Sequence, residues 1–225
     1  LINHERLQRE PGKKYRRCRG TMKYKIAIIG GTGRQGRGLA YRWVKAGHEV
    51  LIGSRKADSA IKAVEELKQR LDADVKLTGM TNLEAVELCD LAVLTVPYEA
   101  MRATLTELKD ALKGKLLINV CVPLVPPKVT RVQMPSEGSG ALMAQAILGD
   151  EAKIVDAFQN VSFEHLLSGE EIDTDVLVAG YDKAARELVI QLSADMGVKA
   201  WDAGVIQNTV VAEGLTSILI GLNIQ

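Results

Sequence analysis

Eight short apolar runs dictate the architecture of this chain before any other feature is considered. They are KIAIIG (25–30), EVLIGS (49–54), DVKLTGM (74–80), LAVLTVP (91–97), KLLINVCV (115–122), KIVDAF (153–158), TDVLVAG (174–180) and VKAWDAG (198–204). Most are apolar at consecutive positions, so they have no face suited to water and read as strands covered on both sides. Amphipathic stretches separate them. Residues 34–46 read as a helix that stops at Gly47, and TNLEAVEL opens with Thr81 and Glu84 at the spacing of a capping box. Further helices are predicted over 57–71, 98–113, 138–148, 182–196 and 206–223. This alternation predicts an α/β fold: a Rossmann-like, doubly wound, mainly parallel sheet with a small C-terminal lobe. The predicted division is a basic leader at 1–21, a nucleotide-binding domain at 22–158 and the lobe at 159–225. The segment after the sixth strand is too short for a separate substrate domain of ~150 residues, so any second reactant must be held by that lobe.

The first run is followed at once by a G-x-G-x-x-G spacing, Gly31, Gly33 and Gly36, that opens a helix inside a β-α-β unit. In that context the motif reads as a dinucleotide turn. Gly31 permits the tight bend, Gly33 lets backbone approach a pyrophosphate, and Gly36, with Gly38 a half-turn on, lets helix pack on sheet. The helix start offers unpaired N–H groups and partial positive charge to phosphate. Thr32, Arg34, Gln35 and Arg37 surround it. A purely structural glycine turn is the competing reading.

The second strand ends in Ser54 and Arg55, where an enzyme using NAD carries an acid for the ribose 2′-hydroxyl. A serine hydroxyl and a planar, permanently charged guanidinium suit a 2′-phosphate instead, and Lys56 adds a second cation. The expected nucleotide is NADP. The fourth strand ends at Thr95, Val96 and Pro97, followed by Tyr98, which by the same logic border the dinucleotide at the carboxyl end of the sheet.

An acid–base pair for alcohol or hydroxy-acid chemistry is hard to find. His48 starts the second strand and His4 lies in the leader, leaving His165 as the histidine nearest the expected cleft. No S-x-x-x-K or Y-x-x-x-K pair stands at a strand end, and no His, Cys and carboxylate cluster suggests a metal. The economical expectation is a reaction whose second partner is itself a redox cofactor, with the protein supplying alignment and exclusion of water.

Composition adds bounds. Seven Lys or Arg against Glu5 and Glu10 give the first 21 residues a net of +5, leaving the remainder at −4. The leader has no aromatic interleaving, so a disordered extension or an upstream stretch before Met22 is expected rather than a nucleic-acid arm. Cys18, Cys89 and Cys121 are scattered, which suggests a reducing compartment, the cytoplasm, and no disulfide framework. No apolar run approaches the ~18 residues that cross a bilayer.

IAIIGGTGRQGRGLA, GHEVLIGSR, CDLAVLTVP, VPLVPPKV, AFQNVS and WDAG followed by AEGLTSILI together make residues 22–225 resemble the NADPH-dependent coenzyme F420 reductase family, also called F420H2:NADP oxidoreductase. The resemblance implies hydride transfer between NADP and coenzyme F420, an 8-hydroxy-5-deazaflavin, in a cytoplasmic homodimer. It implies that Thr32, Gly33, Arg34 and Gln35 hold the pyrophosphate and that Ser54 and Arg55 hold the 2′-phosphate. Tyr98 and the loop 122–125, including Val122 and Pro123, would border the nicotinamide. Asn160, Val161, Ser162 and Phe163 would stand behind the two rings, and Ile206 would touch the deazaflavin. Family members often carry Pro-Ala where this chain reads Ser162 and Phe163, so a phenyl ring narrows that wall. Two other functions compete: an NADPH-dependent flavin or ferric reductase, and a non-enzymatic NADP sensor.

Overall fold

The computed structural model describes residues 22–72 and 74–224; the basic leader expected at 1–21 lies outside the described residues. The strands are β1 (Lys25–Ile29), β2 (Glu49–Ser54), β3 (Leu77–Thr81), β4 (Leu91–Leu94), β5 (Leu116–Asn119), β6 (Lys153–Asp156), β7 (Asp175–Gly180) and β8 (Lys199–Gly204). The helices are α1 (Arg34–Lys45), α2 (Ala57–Lys68), α3 (Asn82–Leu88), α4 (Tyr98–Glu107), α5 (Gly140–Leu148), α6 (Phe163–Ser168), α7 (Lys183–Asp195) and α8 (Thr209–Ile224). All eight strands form one sheet in the order β3-β2-β1-β4-β5-β6-β7-β8.

Pairing is parallel from β3 through β6, turns antiparallel between β6 and β7, where Val155 faces Gly180 and Asp156 faces Ala179, and is parallel again between β7 and β8. Residues beyond 158 thus extend the sheet by two strands. The element that this part of the chain lays over the carboxyl edge is α8, which reaches the loop after β5: Gly214 approaches Met134 and Gly221 approaches Thr130.

Period-two alternation sorts the buried side chains into two layers. Ile26, Ile28, Ile52, Val93 and Ile118 face α1, α2, α6 and α7, with Trp43 and Phe158 among their neighbours. Ala27, Ile29, Leu51, Ala92, Leu94 and Leu117 face α3, α4 and α5. The helix after β1 lies on one face and the helix after β4 on the other, so a crevice opens between those adjacent strands at their carboxyl ends, where such sheets take ligands.

Some element ends differ from expectation where local chemistry intervenes. β3 starts at Leu77, and its last residue, Thr81, also caps α3: its hydroxyl accepts from Glu84 N–H while the Glu84 carboxylate accepts from the Thr81 backbone. α4 ends at Glu107, short of the expected 113, and its chain continues in turns to Gly114, whose positive φ of 74° ends the segment.

Candidate functional site

A cavity of about 720 Å³ occupies the crevice, within the range of small-molecule sites. One end is the glycine turn. Gly31 N–H donates to Ile28 and Gly53 carbonyls, and Gly30 N–H to the side-chain oxygen of Asn82, so the turn is tied to β2 and α3. A methyl on Gly31 would stand 2.8 Å from the Ile28 carbonyl oxygen, and one on Gly36 2.7 Å from the Gly31 Cα and 2.8 Å from the Thr95 hydroxyl. These two glycines therefore serve close packing. Thr32, Gly33, Arg34 and Gln35 line the cavity itself.

Helix capping distinguishes this end. α3, α5, α6 and α7 are capped by Thr81, Ser139, Ser162 and Asp182 side chains. α1, α2 and α4, which open around the cavity, have no side-chain cap, and α1 has no acidic residue in its first turn. The leading N–H groups of α1 are left to an anion.

Gln35 donates from its amide to the Phe158 and Val161 carbonyls at 3.2 and 3.1 Å, and Arg42 donates to the carbonyls of His165, Leu166 and Glu170 at 2.6–2.7 Å. Gly38 admits Leu166 so closely that a methyl would sit 2.7 Å from its Cβ. α1 is thereby clasped to α6 and the segment before it from Gln35 to Arg42, and the Arg34 guanidinium lies 5.2 Å from the centre of the Phe163 ring. Arg37 faces away, bracing the Thr32 carbonyl and pairing with Glu66.

Ser54 and Arg55 line the cavity at the tip of β2, half-buried and exposed respectively, and neither makes an ion pair among the described residues. Thr95, Val96, Pro97 and Tyr98 form the facing wall, with Val122 beside them. Burial, then the nearby Glu137 carboxylate, raises the Tyr98 hydroxyl above its usual range. Cys121 lies in the floor with its thiol donating to the Val96 carbonyl at 3.0 Å, and burial pushes it up. Neither group exchanges a proton near neutral pH. Among the described residues no cluster that could hold a metal ion is present.

Other expected residues fall elsewhere. Pro123 is buried beside the cavity-lining Val122. Asn160 braces α8, donating to the Ala212 carbonyl and accepting from the Thr216 hydroxyl at 2.7 Å. Val161 is buried in the layer below, Ser162 caps α6, and Phe163 underlies Arg34. Ile206 is fully buried in the layer facing α4 and α5, held there by the 3-10 turn before α8, and lines no part of the cavity. His165 sits exposed on α6 and is likewise absent from the lining. Leu124, of the expected loop 122–125, lines the cavity, and residues not singled out from the sequence join the wall, among them Asn82, Gln159 and Thr216. Asn82 follows the Thr81 cap at the end of a strand, a position that could have flagged it.

Comparison with known proteins identifies the family. Residues 25–123 match the family model described as NADP oxidoreductase, coenzyme F420-dependent. The F420-dependent NADP reductase of Methanocaldococcus jannaschii is 43% identical over 211 residues, spanning 89% of this chain and 93% of the relative. That of Methanothermobacter marburgensis is 40% identical over 208 residues, again 89% and 93%. A solved structure from Arthrobacter sp. FB24, described as an F420-dependent NADP-reductase, superposes with a TM-score of 0.74 at 27% identity, covering 88% of this chain and 93% of that one. The chain belongs to the coenzyme F420-dependent NADP oxidoreductase family.

Proposed function

We propose that this protein is an oxidoreductase that transfers a hydride reversibly between reduced coenzyme F420 and NADP. The observation that carries the reading is the build of the cavity: a bare helix N-terminus and a cationic strand tip at one end, and at the other a wall with no group that titrates near neutral pH. Gly33, Arg34 and Gln35 hold the pyrophosphate, with Thr32 at the turn. Ser54 and Arg55 take the 2′-phosphate, which is why NADP is favoured over NAD. Thr95, Val96, Pro97 and Tyr98 flank the chain of the dinucleotide, and Val122 borders its nicotinamide. The deazaflavin ring supplies a carbon centre that gives or takes hydride, so no protein acid or base is needed at the reacting atoms. The contribution of the protein is to align two flat rings and keep water out.

The partners in this reading are small redox cofactors rather than nucleic acid, and the protein works in the cytoplasm as a homodimer. Among the described residues no helix is long and apolar enough to cross a membrane, and Cys89 and Cys121 are buried free thiols. α8 presents Val211, Ile218 and Leu222 at 68, 52 and 59% exposure, spaced seven and four residues apart along one face, a stripe suited to a second copy of the chain. The function is tested by following the absorbance of reduced F420 on addition of NADP, with free flavin and iron chelates as alternative acceptors. Loss of the deazaflavin signal is the expected result; turnover with flavin or iron alone supports the reductase alternative, and NADPH binding without turnover would leave a sensor.

A further inference from the structure

Two acids are fully buried under the cavity floor: Asp156, at the end of β6, and Glu213, on α8. The Glu213 carboxylate accepts from the Gly140 and Ala141 N–H groups at 2.6 and 2.9 Å and so caps α5 from a distant part of the chain. Asp156 accepts from the Asn119 amide at 2.8 Å through one oxygen, while its other oxygen is buried without a partner. Glu213 reaches the start of α5 beside the Cys121 carbonyl, which also accepts from the Asn119 amide that bonds Asp156, so the two carboxyls lie close together. Every group that acts on the pair is neutral or acidic: Asn119 on β5, Cys121 beyond it, the N–H groups of α5, Gln159 after β6, and each other; β7 offers Ala179 opposite Asp156. With no cation beside them among the described residues, two buried carboxylates this close cannot both be ionised. The two backbone N–H donors favour charge on Glu213, so the proton resides on Asp156, whose unpartnered oxygen then donates to Glu213. Burial first, and the Glu213 charge second, raise Asp156 well above the carboxylate range.

Gln159 stands next to this pair and lines the cavity, and its amide nitrogen is the other buried polar atom without a partner. A donor and an acceptor, each orphaned, are thus neighbours. The backbone between them is fixed as well. Phe158 holds a φ of +71°, a left-handed conformation costly for a bulky residue. It is held by its edge contact with Trp43 at 5.7 Å and by the Gln35 amide on its carbonyl. That bend turns Gln159 toward the cavity while Phe158 stays in the core.

We infer that Asp156 is a positioning residue: protonated and bonded to Glu213, it receives the Gln159 amide N–H, so that the Gln159 carbonyl oxygen is aimed at a polar N–H edge of the deazaflavin ring rather than at the dinucleotide. This rests on the hydride-transfer reading above. Asn at 156 can still donate to Glu213 and accept from Asn119, but it presents an N–H where Gln159 needs an acceptor.

The test uses the full chain as wild type, D156N, Q159A and D156N/Q159A. Infrared difference spectra of wild type against D156N at pH 8 should contain the carbonyl stretch of a protonated carboxylic acid; its absence overturns the shared proton. Hydride transfer between F420 and NADP should fall about tenfold in Q159A and in D156N, the scale of one lost hydrogen bond to a reacting group, without a further fall in the double variant. NADPH affinity should stay within about twofold of wild type, the change of a site not touched directly. A D156N rate equal to wild type, or a second tenfold loss in the double variant, overturns the inference. A wild type that binds NADPH but transfers no hydride to or from F420 defeats the proposed function instead, and the infrared band, read on the same sample, still decides the carboxyl pair.

Discussion

Two glycines of one turn are expected to respond in opposite ways to the same added methyl group. At Gly36 a Cβ would meet the Gly31 Cα at 2.7 Å and the Thr95 hydroxyl at 2.8 Å. Carbon atoms pack at about 3.5–4.0 Å, so α1 must back away from the turn by about 1 Å, an overpacking that costs about 1–3 kcal/mol. The same retreat carries the helix N–H groups off the phosphate, and NADPH affinity should fall at least about tenfold, about 1.4 kcal/mol. At Gly33 the nearest atom to a Cβ is the Gly30 carbonyl oxygen at 3.7 Å, and the backbone has φ −70° and ψ 165°, which any residue adopts. G33A should therefore leave the fold unharmed, or stabilise it by about 0.4–1 kcal/mol through the unfolded chain. Its methyl would nonetheless occupy the space a pyrophosphate needs, and NADPH affinity should drop about tenfold or more. Denaturant unfolding and fluorescence titration with NADPH, run on both variants, separate the two effects. A G33A protein that binds NADPH like wild type refutes the placement of the dinucleotide, and a G36A protein with undiminished stability refutes the packing argument.

Arg55→Glu should weaken NADPH by at least about 2 kcal/mol and leave NADH nearly unchanged, measured as the ratio of the two dissociation constants; equal losses would remove the 2′-phosphate from that strand tip. Burial raises Glu213 to about 7, above the ~4.3 of an unfolded glutamate. The stabilisation it provides is complete below about pH 4 and is lost as pH rises through 7, so the wild-type unfolding free energy should decline over that interval by a few kcal/mol. E213Q, which cannot ionise, should show a flatter profile in denaturant titrations at pH 5 and 8; parallel profiles would contradict the buried charge. Replacing both Val211 and Ile218 by Asp should yield monomers by light scattering if α8 joins two copies, and an unchanged mass would place the interface elsewhere.

Much of this architecture is legible in the sequence because burial on both faces leaves a plain mark: β1, β4 and β5 are apolar at nearly every position, and all eight strands stand out as runs. Direction is not legible. TDVLVAG is as apolar as the parallel runs, and nothing in it announces that β7 pairs antiparallel with β6 over two residue pairs. α6 escapes sequence reasoning because six residues, FEHLLS, carry less than two turns of periodicity, and its existence depends on Arg42 and Gly38 of α1. At the site, the glycine turn and the Ser54-Arg55 tip are local in sequence and therefore readable. The far wall is assembled from β5, β6 and α8, so Gln159 and Thr216 cannot be told from Asn160 and Ile206 without the packing of α8. Asp156 reads as an ordinary strand-end acid; its meaning comes from Glu213, 57 positions away in sequence.

The clasp between α1 and α6 has a kinetic corollary. Gln35 and Arg42 join the glycine turn and its helix to the segment that walls the far end through five hydrogen bonds made within the chain itself. The spacing between the two ends of the cavity is therefore set by folding, and in the proposed reading neither ligand has to create it. On that reading either cofactor should be able to bind first, and an obligatory binding order in steady-state kinetics would contradict a wall set by folding alone.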